Sequence, residues 1–378
     1  MRRAAAAWLV LAALATSACA THRLDEPALS TETGREAAAL LARVSLEDDP
    51  ALLAYLTDLG RGLGGASVTV HVVRDPTLAL FALPDGHVFV HTGLLAAMDD
   101  EAQLAAVLAH EIAHVLAGDA LEAGEPRPPA PSLGGGAAAS PTARVIHALD
   151  LRLVARAAMT GYGRRRERAA DAASLAVIMR RGWDPSEAPI AYERLAARAA
   201  EDEGREVFLL GNRHRLAERV ESCRPLVTTM LTAMTSTVLR KNSEAFARVW
   251  PPLLRANGEA EMRRGDFARA QPELERALAA APDDARSLLA LGDLHRLRAQ
   301  RAVSADARAV DLALAHDAYA RVLTTGAAPA DVHRRLGLLY YDEREPVRAR
   351  EELERYLALA PGAADAPRIA EYLQELTR

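Results

Sequence analysis

Residues 101–116 read EAQLAAVLAHEIAHVL. Their apolar positions recur at helical spacing, and Asp99-Asp100 stand just before them, placed to cap a helix and to complement its dipole. On such a helix His110 and His114 are one turn apart and share a face, with Glu111 beside them. Two neutral imidazoles can then hold one Zn²⁺ ion, which acidifies a water, while a carboxylate takes the proton of that water and delivers it to a leaving amine. The plain alternative is a pair of core or surface histidines; chance gives this pattern in roughly a few per cent of chains with 11 His.

A catalytic tetrahedral centre takes three protein ligands and leaves one place for water, so a further ligand is expected downstream. Glu167 is the best candidate, in Arg164-Arg165-Arg166-Glu167-Arg168-Ala169-Ala170-Asp171, because Glu167 and Asp171 share a helical face. Two readings stand at this point. Glu167 completes the metal set and Asp171 accepts the second N–H of a ligating histidine, or both acids pair with the neighbouring arginines on a solvated helix.

Around this stretch the chain has a readable order. A helix is expected about Ala37 to Leu63, ended by Gly60, Gly62, Gly64 and Gly65. Two Val-rich runs, Val68 to Val73 and His87 to His91, read as adjacent strands, with Pro84-Asp85-Gly86 as the turn before the second. Residues 124–141 hold Pro, Gly, Ala and Ser with hardly a large apolar side chain, which predicts a loop. Helical periodicity resumes from Ala143 and stops at Gly182-Trp183-Asp184-Pro185. The expected fold class is α+β and mostly helical: a small β-sheet beside the motif helix, then an α-helical array. At 378 residues two domains are the natural reading, over 20–235 and 236–378, after a leader of 1–19. The net charge of −5 is spread along the chain, so no basic stripe suggests nucleic acid.

The ordered blocks Phe81-Ala82-Leu83-Pro84-Asp85-Gly86, Thr92-Gly93-Leu94-Leu95, Glu101 to His114, and Glu167 with Ala170-Asp171 and Gly182-Trp183-Asp184-Pro185 resemble the HtpX-like, BepA-like and CAAX prenyl endopeptidase family of gluzincin-type zinc metalloproteases. That resemblance implies one Zn²⁺ per chain held by His110, His114 and Glu167, with Glu111 as general base and Asp171 behind a ligand. A later block, Arg213-His214-Arg215-Leu216-Ala217-Glu218-Arg219, is similar to one in which a His and an Arg approach the site. His214 and Arg219 would then bind substrate or steady the oxyanion, or His214 would plug the zinc at rest. An extended substrate pairs with an edge strand in enzymes of this kind, and His87 to His91 is the candidate edge; an ordinary half-buried strand fits its alternation equally.

The N-terminus carries Arg2-Arg3 and an apolar run from Ala4 to Ala15, too short to span a bilayer and suited to a secretory signal peptide. Thr16-Ser17-Ala18-Cys19 resembles a bacterial lipoprotein processing site with Cys19 as the lipidated residue; an ordinary signal peptide with an incidental cysteine is the other reading. With no Asp after Cys19, the expected anchorage is the periplasmic side of the outer membrane, by lipid alone. Cys223, the only other cysteine, is expected to be a small buried apolar residue. His71, His87, His91, His147, His295, His316 and His333 lack ligand spacing and read as ordinary.

Towards the C-terminus, Leu336, Gly337, Tyr340, Ala349, Leu353, Tyr356 and Pro361 fall at the packing positions of a tetratricopeptide (TPR) repeat. Gly258, Ala270, Leu274, Ala277 and Pro282 fit an earlier unit. Leu288, Leu291 and Gly292 open a middle one, with an insertion before Ala318 and Val322. About three stacked helix pairs with a concave face follow, suited to holding a protein. Together these features predict an endopeptidase of periplasmic quality control acting on protein or peptide substrates, its repeats meeting outer-membrane assembly machinery. The competing expectation is a chaperone or assembly scaffold with slight or latent proteolysis.

Overall fold

The computed structural model describes residues 27–119, 140–151, 154, 163–201, 208–209, 213–234, 238–326 and 328–376. Cys19 and the 124–139 part of the expected loop lie outside them. The chain divides into two compact units, Met1–Val249 and Trp250–Arg378.

In the first unit, helix α1 (Pro27–Leu41) is followed by α2 (Pro50–Gly64), which Asp49 caps by accepting from Ala51 and Leu52 N–H with Pro50 at its first position. The glycines expected to end α2 lie partly inside it. A Cβ on Gly64 would come within 2.5 Å of Ile112 and 2.6 Å of Val68, so the missing side chain lets α2 close on the motif helix and the first strand.

The sheet is built from β1 (Thr69–Val73), β2 (Ala79–Ala82), β3 (His87–His91) and β4 (Phe208–Leu209), in the order β1-β3-β2-β4. β1 runs parallel to β3 with Thr69 opposite His87, as the adjacency of the two Val-rich runs predicts. β2 is antiparallel to β3 with Phe81 opposite Phe89, and β4 is parallel to β2. β3 therefore lies inside the sheet, and the expectation that His87 to His91 is a substrate-pairing edge is corrected: both its flanks are occupied by ladder partners. One face, with Val73, Ala79, Phe81 and Phe89, forms a core with Ala37 and Leu40 of α1 and with Ala143 and Ile146 of α5 (Pro141–Ala148).

After α3 (Thr92–Ala97) comes the motif helix α4 (Glu101–Ala117). Asp100 caps it by accepting from Gln103 N–H, and Gly118, at φ 68°, ends it in the left-handed conformation. Its first turn is finished by residues far downstream. Ala102 N–H donates to Lys241 C=O at 2.9 Å, Glu101 N–H donates to Asn242 Oδ1 at 2.9 Å, and Ser243 Oγ donates to Glu101 Oε1 at 2.8 Å. These bonds hold residues 241–243 to the first unit, which is why it runs on to Val249 and past the expected boundary at 235. Helices α6 (Arg164–Arg180), α7 (Glu187–Glu201) and α8 (Arg213–Ala233) complete it, with α6 against α4 and α8 against both α6 and α7. Cys223 on α8 is buried, as expected.

The second unit takes up α9 (Glu244–Arg264) from Trp250 onward, then α10 (Phe267–Ala280), α11 (Ala285–Gln300), α12 (Ala305–Thr324), α13 (Asp331–Asp342), α14 (Pro346–Leu359) and α15 (Ala366–Glu375). The helices pair at glycines: a Cβ on Gly258, Gly292 or Gly337 would lie 3.0 Å from Leu274, 2.2 Å from Tyr319 or 2.6 Å from Leu353. These are the positions at which the repeat pattern expects close packing. Among the described residues no helix is long and apolar enough to cross a membrane.

Candidate metal centre

One turn of α4 places His110 and His114 side by side, and α6 brings Glu167 across to them. His110 Nε2 and His114 Nε2 are 3.2 Å apart, and Glu167 Oε2 stands 3.3 Å from the first and 3.4 Å from the second. All three side chains are buried. Ligand atoms about 2.0–2.1 Å from a tetrahedral ion lie about 3.3 Å from one another, so these three separations fit three corners around one Zn²⁺. Among the described residues this is the one such group of His, Cys, Asp and Glu side chains.

The other nitrogen of each imidazole faces a carboxylate. Asp171 Oδ1 is 3.0 Å from His110 Nδ1, one of the places the sequence proposed for it. Asp119 Oδ2 is 2.8 Å from His114 Nδ1. An ionised carboxylate only accepts, so in the neutral ring this pairing keeps the proton on Nδ1 and turns the Nε2 lone pair of His114 towards Glu167 and His110. Sequence reasoning missed Asp119. Its one signal is an acid just beyond the glycine that ends the motif helix.

Arg219 of α8 reaches the same cluster. Its Nη1 donates to Glu167 Oε2 at 2.6 Å and lies 3.6 Å from Asp171 Oδ1. Glu167 thus turns inward to a buried arginine of another helix, while Arg164 of its own helix pairs with Glu218 at 3.2 Å. His214 lies in α8, but its side chain is outside the described residues.

Electrostatics follow the packing. Burial alone would lower the His110 pKa, but the Asp171 and Glu167 carboxylates outweigh it and raise it to about 9. His114 is raised in the same way by Asp119 and Glu167 against its burial. Glu167, despite burial that acts upward, is held well below the usual carboxylate range by the two imidazoles. Glu111 moves the other way. Its burial raises its pKa, with His110 and His114 offsetting part of the shift. Tyr192, fully buried on α7, sets its ring edge-on to His110 at 6.2 Å.

Comparison with known proteins agrees with this chemistry. Residues 60–237 match the model of peptidase family M48. The chain is 30% identical over 168 residues to the beta-barrel assembly-enhancing protease of Escherichia coli strain K12, covering 41% of this chain and 34% of that protein. It is 31% identical over 163 residues to the putative beta-barrel assembly-enhancing protease of Vibrio cholerae, covering 39% and 34%. It is 54% identical over 50 residues to the mitochondrial metalloendopeptidase OMA1 of Danio rerio, covering 13% and 10%. The chain therefore spans about a third of the length of the two bacterial relatives and a tenth of the third. The histidines, the glutamate and both backing aspartates all fall within residues 60–237, the stretch that is similar to peptidase family M48.

Proposed function

We propose that the chain is a zinc-dependent endopeptidase of the bacterial envelope, acting on misfolded or misassembled periplasmic and outer-membrane proteins. The convergence of His110 Nε2, His114 Nε2 and Glu167 Oε2 at tetrahedral-edge spacing carries this reading. When bound, Zn²⁺ supplies Lewis acidity towards a peptide carbonyl and towards the attacking water. Glu111 takes the proton of that water and passes it to the leaving amine. Asp171 and Asp119 hold the imidazoles in the tautomer that faces the metal, and Arg219 holds Glu167 in place.

The envelope assignment draws on Arg2-Arg3, the apolar run after them, and Cys19 as a lipidation site, together with the names of the bacterial relatives. The helix pairs of the second unit are read as TPR repeats that hold protein partners, outer-membrane assembly machinery among them, because Gly258, Gly292 and Gly337 recur at their crossings. The scaffold alternative keeps these repeats but gives the buried cluster of the first unit no task.

The test is Glu111→Gln in cells. The variant should retain equimolar zinc, fail to clear misfolded envelope proteins, and hold them in a complex from which they can be identified. Full cellular function with Glu111→Gln would sink the peptidase reading in favour of the scaffold.

A further inference from the structure

His110 and His114 are backed in the same manner by unrelated parts of the chain. Behind His110 stands Asp171, and Arg219 lies 3.6 Å from that aspartate. Behind His114 stands Asp119, whose Oδ1 is 3.5 Å from Arg166 Nε and whose carbonyl oxygen accepts from Arg166 Nη1 at 3.3 Å. Asp119 is 7% exposed, so its carboxylate is largely withdrawn from water that could replace the imidazole or the guanidinium. The left-handed turn at Gly118 brings Asp119 back beside the imidazole of the preceding turn. Arg166 is the residue before Glu167. The contact therefore joins the end of α4, which carries two of the three converging groups, to the first turn of α6, which carries the third.

We propose that Asp119 is the positioning residue for His114 and that Arg166 positions Asp119, so that this pair sets how tightly the chain holds its metal. The inference rests on the metal-centre reading above. Asp119 fixes the His114 tautomer and ring plane and raises the basicity of its Nε2. Arg166 fixes the carboxylate through two contacts, one to the side chain and one to the main chain, and so acts on the metal only through Asp119.

The experiment measures the affinity of the full chain for Zn²⁺ alone, by competition with a chelator, beside the urea midpoint of the metal-free protein. Asp119→Ala should weaken zinc binding about 10–100-fold. Asp119→Asn, whose amide oxygen still accepts from Nδ1–H without the charge, should recover part of that loss and also serves if the alanine variant does not fold. Arg166→Ala should weaken binding less, and added to Asp119→Ala it should weaken it no further. A merely structural contact predicts a lower urea midpoint with the zinc dissociation constant of the parent, and that result in either Asp119 variant overturns the inference. If the parent chain itself binds no zinc, the peptidase reading falls with it; if the parent binds and the variants match it, only this inference falls.

Discussion

Arg219 Nη1 donates to the very oxygen, Glu167 Oε2, that faces the Nε2 atoms of both histidines. The guanidinium also lies within reach of Asp171 Oδ1, so one cation spans a candidate ligand and the acid behind another. With Arg219 at 3% exposure, its removal takes one buried cation away from two buried carboxylates, a loss of about 3–5 kcal/mol in the metal-free chain by analogy with other broken buried pairs. Arg219→Ala should therefore lower the urea midpoint of the metal-free protein and reduce kcat/KM towards a peptide substrate by at least about tenfold. Arg219→Lys keeps the charge but loses the planar fork, and should recover stability better than activity. Equal recovery of both by lysine would show that charge alone matters here.

The metal-free centre also fixes a pH dependence. His110, raised from 6.5 to about 9, stabilises the fold fully below its ordinary pKa, and this contribution is lost as the pH rises through about 9. Glu167, lowered from 4.5, stabilises the fold above that value and loses its contribution as the pH falls. Both contributions are complete between about pH 4.5 and 6.5, and the urea midpoint of the metal-free chain should decline on either side. Zinc requires neutral imidazoles, so its affinity should rise with pH up to about 9, with protons released on binding. Calorimetry in two buffers of different ionisation enthalpy counts those protons; a count of zero at pH 7 would contradict the charged histidines.

Mutating the three converging groups separates them from their neighbours. His110→Ala and Glu167→Ala should each abolish equimolar zinc, whereas Glu111→Gln should keep it and lose about 10²–10⁴-fold in turnover, the usual worth of a general base. Zinc content by atomic absorption decides this. Unchanged zinc in Glu167→Ala would remove the carboxylate from the ligand set.

What could be read in advance divides by distance along the chain. His110, Glu111 and His114 were legible because a single helical turn relates them, and Glu167 with Asp171 for the same reason. Asp119 was not, because its approach to His114 depends on a left-handed turn at Gly118 and not on a repeat of spacing. Arg219 lies 52 residues beyond Glu167 and entered only through family resemblance. The sheet shows the same limit. The adjacency of β1 and β3 followed from their composition, but β2 has four consecutive buried residues and no alternation to mark it. The interior place of β3 is set by non-local pairing that no local pattern encodes.

Packing in the second unit can be tested without touching the metal. Gly292→Ala places a Cβ within 2.2 Å of the fully buried Tyr319 ring, which must then leave its site between α11 and α12. The expected loss is about 1–3 kcal/mol. In a chain of two units, denaturation followed through the second unit should shift while zinc content stays at one per chain. A shift in zinc content instead would mean that the helical array supports the metal centre.

Glu261 offers a last prediction, of opposite sign. It lies on α9 at 0% exposure, and neither carboxylate oxygen has a hydrogen-bond partner among the described residues. One turn earlier, Asn257 Oδ1 is also buried without a partner, while its Nδ2 donates to Glu273 at 2.8 Å. Burial pushes the Glu261 pKa up to about 7, with Arg264 offsetting part of the shift and Glu273 adding to it. The folded chain therefore binds this proton more tightly than the unfolded one, and stability falls as the pH rises from about 4.5 to about 7. Glu261→Gln keeps the shape and removes the ionisation. It should match the parent at pH 5 and exceed its Tm at pH 8 by several degrees, and a variant that melts below the parent at pH 8 would show that the carboxylate is held by a cation after all.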